Sequence, residues 1–444
     1  MKDRKHVAWL YEQLPTLVDG RVLTPETAET LRRHFGEPGV NGGKKLAVLI
    51  LSILGAALIG AGVILLVAHN WDDLSRETRT VLAFIPLLTA IALAAWVLLR
   101  RRESAAWCEG SATFWALTVG STISLVAQIY NIHGDTARFF LTWILLGVPI
   151  VYLLRSNVAA CLYLVGATTW AGCAASEYKA GTALWYWALL ALPMPHMIRL
   201  WRGQRYGWGS ALTGWVLALC LCVGAWFALE GTMKGSWIGT YTGLLALMYL
   251  AGARWFKEAT TGRHSPWQSV GAIGLGIVAL MLTYEWPWRT IQYPGWREVW
   301  APGSVLVVGN LVAALLPIAA VCVAGREARM AGWSELDRVM VGLAPLCGVV
   351  GYVFAAACQN EVVGRALFNA YLFALGLGLL VAGLRTNKLG RVNVGLLALS
   401  ALIIARFFDS DLSFLARGVA FILVGAGFLT ANVVILRRKG AMAQ

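Results

Sequence analysis

Fourteen apolar runs, each about long enough to cross a bilayer as a helix, fill the chain from residue 46 to its end. Runs such as 46–68, 81–99 and 419–436 reach about 20 residues, matching roughly 30 Å of hydrocarbon. In that medium every backbone N–H and C=O must be satisfied internally, which leaves helices or closed barrels. Barrel strands are short and alternate apolar with polar residues, and these runs do not. The composition agrees: 58% of the 444 residues are hydrophobic and 14% charged, against about 25% charged in a soluble domain. The fold class read here is all-α: a polytopic integral membrane bundle of about fourteen transmembrane helices over 46–444. A small cytoplasmic helical hairpin precedes it at 1–45. The first run starts after 45 mostly polar residues, so no cleaved signal peptide is expected and the first span acts as the insertion signal.

Spans are placed at 46–68, 80–99, 110–131, 139–154, 157–176, 182–200, 209–229, 236–255, 269–286, 303–324, 339–358, 363–384, 391–407 and 416–436. With the amino terminus inside, 27 of the 37 Lys and Arg residues fall on the inner side and 10 on the outer. This positive-inside bias places both termini in the cytoplasm. The net charge of +14 sits in short tethers between spans, which argues against nucleic acid as a partner. The partner expected throughout is the lipid bilayer.

In residues 1–45, Asp19-Gly20 separates two helical stretches. Thr24 is an N-cap candidate, Pro25 suits the first helical position, and Glu26 lies where the helix dipole favours an acid. So small a unit needs a neighbour, and residues 1–40 are a candidate docking point for a cytoplasmic protein.

Polar residues concentrate at the predicted outer ends of spans. They form the groups His69-Asn70-Trp71-Asp72-Asp73, Gln128-Ile129-Tyr130-Asn131-Ile132-His133-Gly134-Asp135, Gln359-Asn360-Glu361 and Arg406-Phe407-Phe408-Asp409-Ser410-Asp411. In each, an acidic residue precedes, by three to six positions, an Arg that opens the returning helix. Twice the spacing is identical: Asp73-Leu74-Ser75 to Arg79, and Asp411-Leu412-Ser413 to Arg417. An acid or Ser there can cap free N–H groups while the Arg pairs the carboxylate. Polar groups are costly against lipid, so a shared outward-facing vestibule is the alternative. It would be lined by His69, Asp72, Gln128, Tyr130, His133, Asp135, Arg406 and Asp409.

Pro193 and Pro195 fall within the 182–200 span, as other prolines do elsewhere, and can free carbonyls that line a cavity. The tryptophans of the 285–302 loop read as an interfacial belt. Glu109 and Glu285 lie near span ends. No GxSxG, HExxH or Walker loop occurs, so no catalytic residue, metal ligand or cofactor is assigned.

The segments Val67-Ala68-His69-Asn70-Trp71-Asp72, 128–135 and 406–411, with Gly20 and Thr24-Pro25-Glu26, resemble an uncharacterised bacterial membrane-protein family, domain of unknown function 2157. The resemblance covers the first 155 residues and the last 40. It implies a bacterial inner-membrane location and carries no activity. The leading functional reading is transport or translocation of an envelope-related amphiphile or small solute. The alternatives are a membrane sensor or scaffold using the amino-terminal hairpin, and an intramembrane enzyme using the outer His and Asp groups.

Overall fold

The computed structural model describes residues 13–15, 17–18, 20, 22–35, 74–178, 181–230, 237–256, 265–289, 291, 306–330, 336–386 and 388–407, with isolated positions between 415 and 426. The chain divides into two compact units, Met1–Arg79 and Thr80–Gln444. In the first, α1 (Pro25–Phe35) starts where the capping pattern places it, with Thr27 N donating to Thr24 Oγ1 at 3.3 Å. Among the described residues of this unit Leu14 and Ala28 are buried.

All regular structure among the described residues is helical. After α1 come α2 (Arg76–Arg100), α3 (Ala105–Ile129), α4 (Thr136–Leu153), α5 (Asn157–Glu177) and a 3-10 turn (Thr182–Trp185). There follow α6 (Tyr186–Ala191), α7 (Met194–Gly203), α8 (Trp208–Leu229), α9 (Trp237–Trp255) and α10 (Pro266–Met281). The last are the single turn α11 (Trp286–Arg289), α12 (Leu306–Met330), α13 (Leu336–Cys358), α14 (Glu361–Thr386) and α15 (Leu389–Phe407). Among the described residues nine helices are long and apolar enough to cross a membrane: α2, α3, α4, α5, α8, α12, α13, α14 and α15. The protein is an all-α polytopic membrane bundle. The first and last predicted spans, 46–68 and 416–436, lie outside the described residues or nearly so.

Three predicted spans take forms that hydropathy alone does not anticipate. α10 is a 16-residue apolar helix. α9 has 12 of its 19 residues buried, so it faces protein along most of its surface and tolerates Thr240, Thr242 and Tyr249. Its glycines let neighbours approach. A Cβ on Gly243 would lie 2.6 Å from Pro317 N of α12, and one on Gly271 of α10 would lie 2.6 Å from Tyr249 N. α2 is the opposite case, with Val81, Leu88 and Leu99 exposed, as a helix facing lipid requires.

The third departure is 182–200. It is a 3-10 turn, a six-residue helix and a ten-residue helix, with Pro193 as the N-cap of the last. Proline has no N–H and so leaves the carbonyl four residues earlier without its helical donor. That carbonyl is Leu189 O; Leu192 N reaches it at 3.2 Å in a tighter turn, and Tyr163 Oη donates to it at 3.0 Å. Tyr152 Oη donates to Leu192 O, and Tyr186 Oη to Cys220 O at 2.6 Å. Tyr152 and Tyr163 thus donate to the break from neighbouring helices, and Tyr186 ties the broken segment to α8, as irregular backbone at membrane depth demands.

Contacts between helix ends fix which termini share an end of the bundle. Glu109 of α3 meets the start of α5; Asn157 abuts Gly209 at the start of α8, and Pro266 of α10 abuts Gly214. Arg254 of α9 pairs with Glu327 of α12 at 3.4 Å. This end also carries Arg100–Arg102, Arg155, Arg199, Arg202 and Arg205 and is called the basic end below. Trp288 belongs to the opposite end and is not an interfacial side chain. It is 2% exposed, donates to Leu282 O at 2.9 Å, and fits where a Cβ on Gly351 or Gly364 would approach its ring to 2.6 Å.

Candidate functional site

A cavity of about 490 Å³ opens at the basic end, between the starts of α3 and α5, the end of α4, and α7. Its construction begins with the tight α4–α5 turn. Leu154 is buried, Arg155 adopts a left-handed backbone with φ of 50°, and Ser156 is fully buried as the N-cap of α5. Ser156 Oγ accepts from Ala159 N at 3.0 Å and donates to Glu109 Oε2. The same carboxylate accepts from Asn157 N at 2.9 Å and Val158 N at 3.0 Å. A helix start presents free N–H groups and the positive end of its dipole, so the Glu109 charge is held by a second helix as a cap.

Next to this cap, Asn157 Oδ1 lies 3.3 Å from His196 Nε2. His196 is buried on α7 and meets the Tyr152 ring edge-on at 6.4 Å between centroids. The broken segment therefore delivers His196 and Arg199 to the cavity wall, and Tyr152 both lines the cavity and holds the break closed. Around the mouth stand Arg102, Glu103, Arg155 and Arg199. Arg199 Nε donates to Pro195 O at 3.3 Å. The guanidinium groups of Arg102 and Arg155 form no hydrogen bond or ion pair with the described residues. Such an arrangement can receive an anion at its rim and hydrogen-bonding groups further in.

None of the described site residues expected from sequence lines this cavity. Gln128, Tyr130, His133 and Asp135 share the α3–α4 turn at the opposite end. Gln128 and His133 are exposed, and Tyr130 Oη lies 3.1 Å from Thr80 Oγ1. Asp135 is the N-cap of α4. It accepts from Arg138 N at 2.6 Å and from Tyr178 Oη at 2.7 Å, and its other oxygen is 3.3 Å from Arg138 Nε. The Tyr178 hydroxyl, then Arg138, hold the Asp135 carboxyl below its ordinary range. Tyr178 is raised in turn by the same bond.

Arg406 sits elsewhere at that end. Its Nη2 donates to Thr283 O at 3.0 Å and contacts Thr283 Oγ1 at 3.1 Å, and the guanidinium lies 4.9 Å over the Tyr284 ring. Asn369 Nδ2 reaches Thr283 O as well, at 3.3 Å. The packing order α4, α5, α8, α10, α15 runs between the Asp135 and Arg406 groups, and each has its own partners. His69, Asp72, Asp73, Asp409, Asp411 and Arg417 lie outside the described residues. Of the two repeated pairs only Arg79 is described; its Nε donates to Leu74 O at 3.0 Å.

The sequence marks Glu109 only as lying near a span end and does not single out Ser156, Asn157 or His196. The available signal was a Ser-Asn pair opening an apolar run just after Arg155, together with Pro193 and Pro195 inside a predicted span. Among the described residues no three His, Cys, Asp or Glu side chains gather as a metal site.

Residues 15–160 match a family model described as predicted membrane protein (DUF2157), which agrees with the resemblance read from the first part of the chain. Neither the curated proteins nor the solved structures contain a match to the chain.

Proposed function

We propose that this membrane protein moves a small envelope-related amphiphile or solute, with the cavity at the basic end as one point of access. The observation that carries the reading is the broken segment 182–203, whose second half forms part of the cavity wall. Discontinuous helices at membrane depth recur where transporters hold their substrates, because freed backbone groups and half-helix ends line the path. Here Tyr152 and Tyr163 donate to carbonyls of the break from outside the segment, so the break is kept from lipid by side chains rather than by its own helix. By the positive-inside rule the basic end faces the cytoplasm, and the family resemblance supports a bacterial inner membrane as its location.

The test is movement of a headgroup-labelled phosphatidylglycerol between leaflets of proteoliposomes, read by chemical quenching of the outer label. The full chain should accelerate exchange over protein-free vesicles, and Pro193→Ala, which restores a helical donor, should slow it. A rate equal to that of empty vesicles, from protein that elutes as a single folded species, removes the transport reading for this class.

A further inference from the structure

We propose that the cavity at the basic end binds the phosphate-bearing head of an anionic lipid, with Arg102, Arg155 and Arg199 on the phosphate oxygens. The inference rests on the same cavity as the transport reading, but binding is measured apart from movement.

The rim chemistry selects an anion. Arg102, Arg155 and Arg199 face two carboxylates, Glu103 and Glu109. Glu109 is occupied by Ser156 Oγ, Asn157 N and Val158 N, so its charge is directed at the helix start. Glu103 alone is left to offset three guanidinium groups. Guanidinium forks match phosphate oxygens in pairs, and such contacts are among the strongest hydrogen bonds proteins form.

The walls favour a lipid as the source of that phosphate. Leu153 lines the cavity and is 48% exposed; Leu146, two turns earlier on the same face of α4, is 54% exposed. The wall therefore continues onto the apolar surface that faces the hydrocarbon. Trp96 and Trp107 flank the Arg100–Arg102 turn in sequence, both exposed and edge-to-face at 5.2 Å. Exposed tryptophan marks the headgroup level of a bilayer. A cavity at that level, basic at its rim and open to an apolar surface, fits a phosphodiester head with its acyl chains alongside Leu146 and Leu153. Basic pockets between helices on the cytoplasmic side take lipid heads in this way.

The experiment uses the full chain in detergent. Thermal unfolding and native mass spectrometry are followed as phosphatidylglycerol, phosphatidylcholine or inorganic phosphate is added, for wild type and for the Arg102→Gln/Arg155→Asn double variant. Phosphatidylglycerol should raise the wild-type midpoint and stay bound in the spectrometer, phosphatidylcholine should do less, and the double variant should require roughly tenfold more lipid. If inorganic phosphate gives the same variant-sensitive shift and lipid adds nothing, the phosphate site stands with a soluble ligand and the lipid assignment falls. Equal responses of wild type and variant, or no response of wild type to either ligand, overturn the proposal. Should the double variant fail to elute as folded protein, Arg155→Asn is compared with Arg155→Lys, which keeps the charge and should keep most of the shift.

Discussion

The two ends of the helix bundle treat their charges differently. At the end holding the α3–α4 turn and α11, acids and arginines are matched. Asp135 meets Arg138 and Tyr178, and Glu285 is paired with Arg289. Arg289 Nε reaches Glu361 at 3.6 Å and Arg365 reaches Glu285 at 3.9 Å. The acid-then-Arg spacing of Glu361 and Arg365 is thus closed through a third segment. At the basic end Arg254 is paired with Glu327, but around the cavity the exchange is broken. Glu109 is held by a helix start, and Arg102 and Arg155 stand at the cavity with no ion pair to a described carboxylate. Matching of this kind holds hairpins in place. A basic surplus at this end orients the helices, and where it lines a cavity it is also placed to meet a ligand.

The largest effect expected on stability is at Glu109, the cavity carboxylate that caps a helix start. Glu109→Ala leaves Asn157 N and Val158 N without their acceptor and should cost about 2–3 kcal/mol. Glu109→Gln, which keeps one acceptor, should recover about half of it. Reversible unfolding in detergent micelles by steric trapping reads both. A loss below about 0.5 kcal/mol for the alanine would mean that water can cap α5, and the contrast between ends would lose its basis.

Second comes Arg406 at the matched end. Its bonds to Thr283 and its place over Tyr284 tie α15 to the end of α10. Arg406→Ala should cost about 1–2 kcal/mol, and Thr283→Val a smaller part of it, because the Thr283 carbonyl remains. If the two substitutions add as independent sites in a double-mutant cycle, the bond is not what holds the ends together.

How far these features could be read from sequence follows from their physics. Apolar length is a local property, so the boundaries of α2, α4, α5 and α8 fall within a few residues of the predicted ones. The break at 192–193 was passed over because proline and its apolar neighbours score as a continuous run, although Pro193 was visible as a source of freed carbonyls. Trp288 was placed at the interface because its loop is polar, whereas Gly351 and Gly364, over sixty residues later in the chain, make its slot. The cavity is harder still. Glu109, Ser156 and His196 come from the ends of three different helices, and only packing brings them together. Local polarity drew attention to 128–135, and there it marks a capped turn: Asp135 on the first N–H groups of α4, as the spacing to Arg138 suggests.

Asp135 offers a smaller, pH-dependent effect. Its carboxyl is held below the ordinary value of about 3.9, so the folded state favours the ionised form. The stabilisation is then fully present above that value and is lost as pH falls through the lower folded value. Wild type should exceed Asp135→Asn in melting temperature by a constant margin from neutral pH down to about pH 4, and the margin should close below it. Tyr178→Phe should narrow the margin at every pH above that point. A margin that widens in acid would contradict the assigned direction.

The smallest effect is the one that separates the two ends most sharply. Arg155 is exposed, has no partner among the described residues, and occupies a left-handed backbone position that asparagine adopts more readily than most residues. Arg155→Asn therefore removes a charge while keeping the turn, and its stability without added ligand should lie within about 0.5 kcal/mol of wild type. Arg138→Gln at the matched end removes a charge that pairs with Asp135 and should lower the melting temperature at neutral pH, with the difference fading in the acid range where Asp135 is protonated. Melting both variants side by side at pH 7 and again in acid is enough. A stability loss for Arg155→Asn comparable to that of Glu109→Ala would show that the basic-end arginine is structural too, and the rim of the cavity would then be part of the scaffold. If only Arg138→Gln is destabilised, the Arg155 charge is available to whatever enters the cavity.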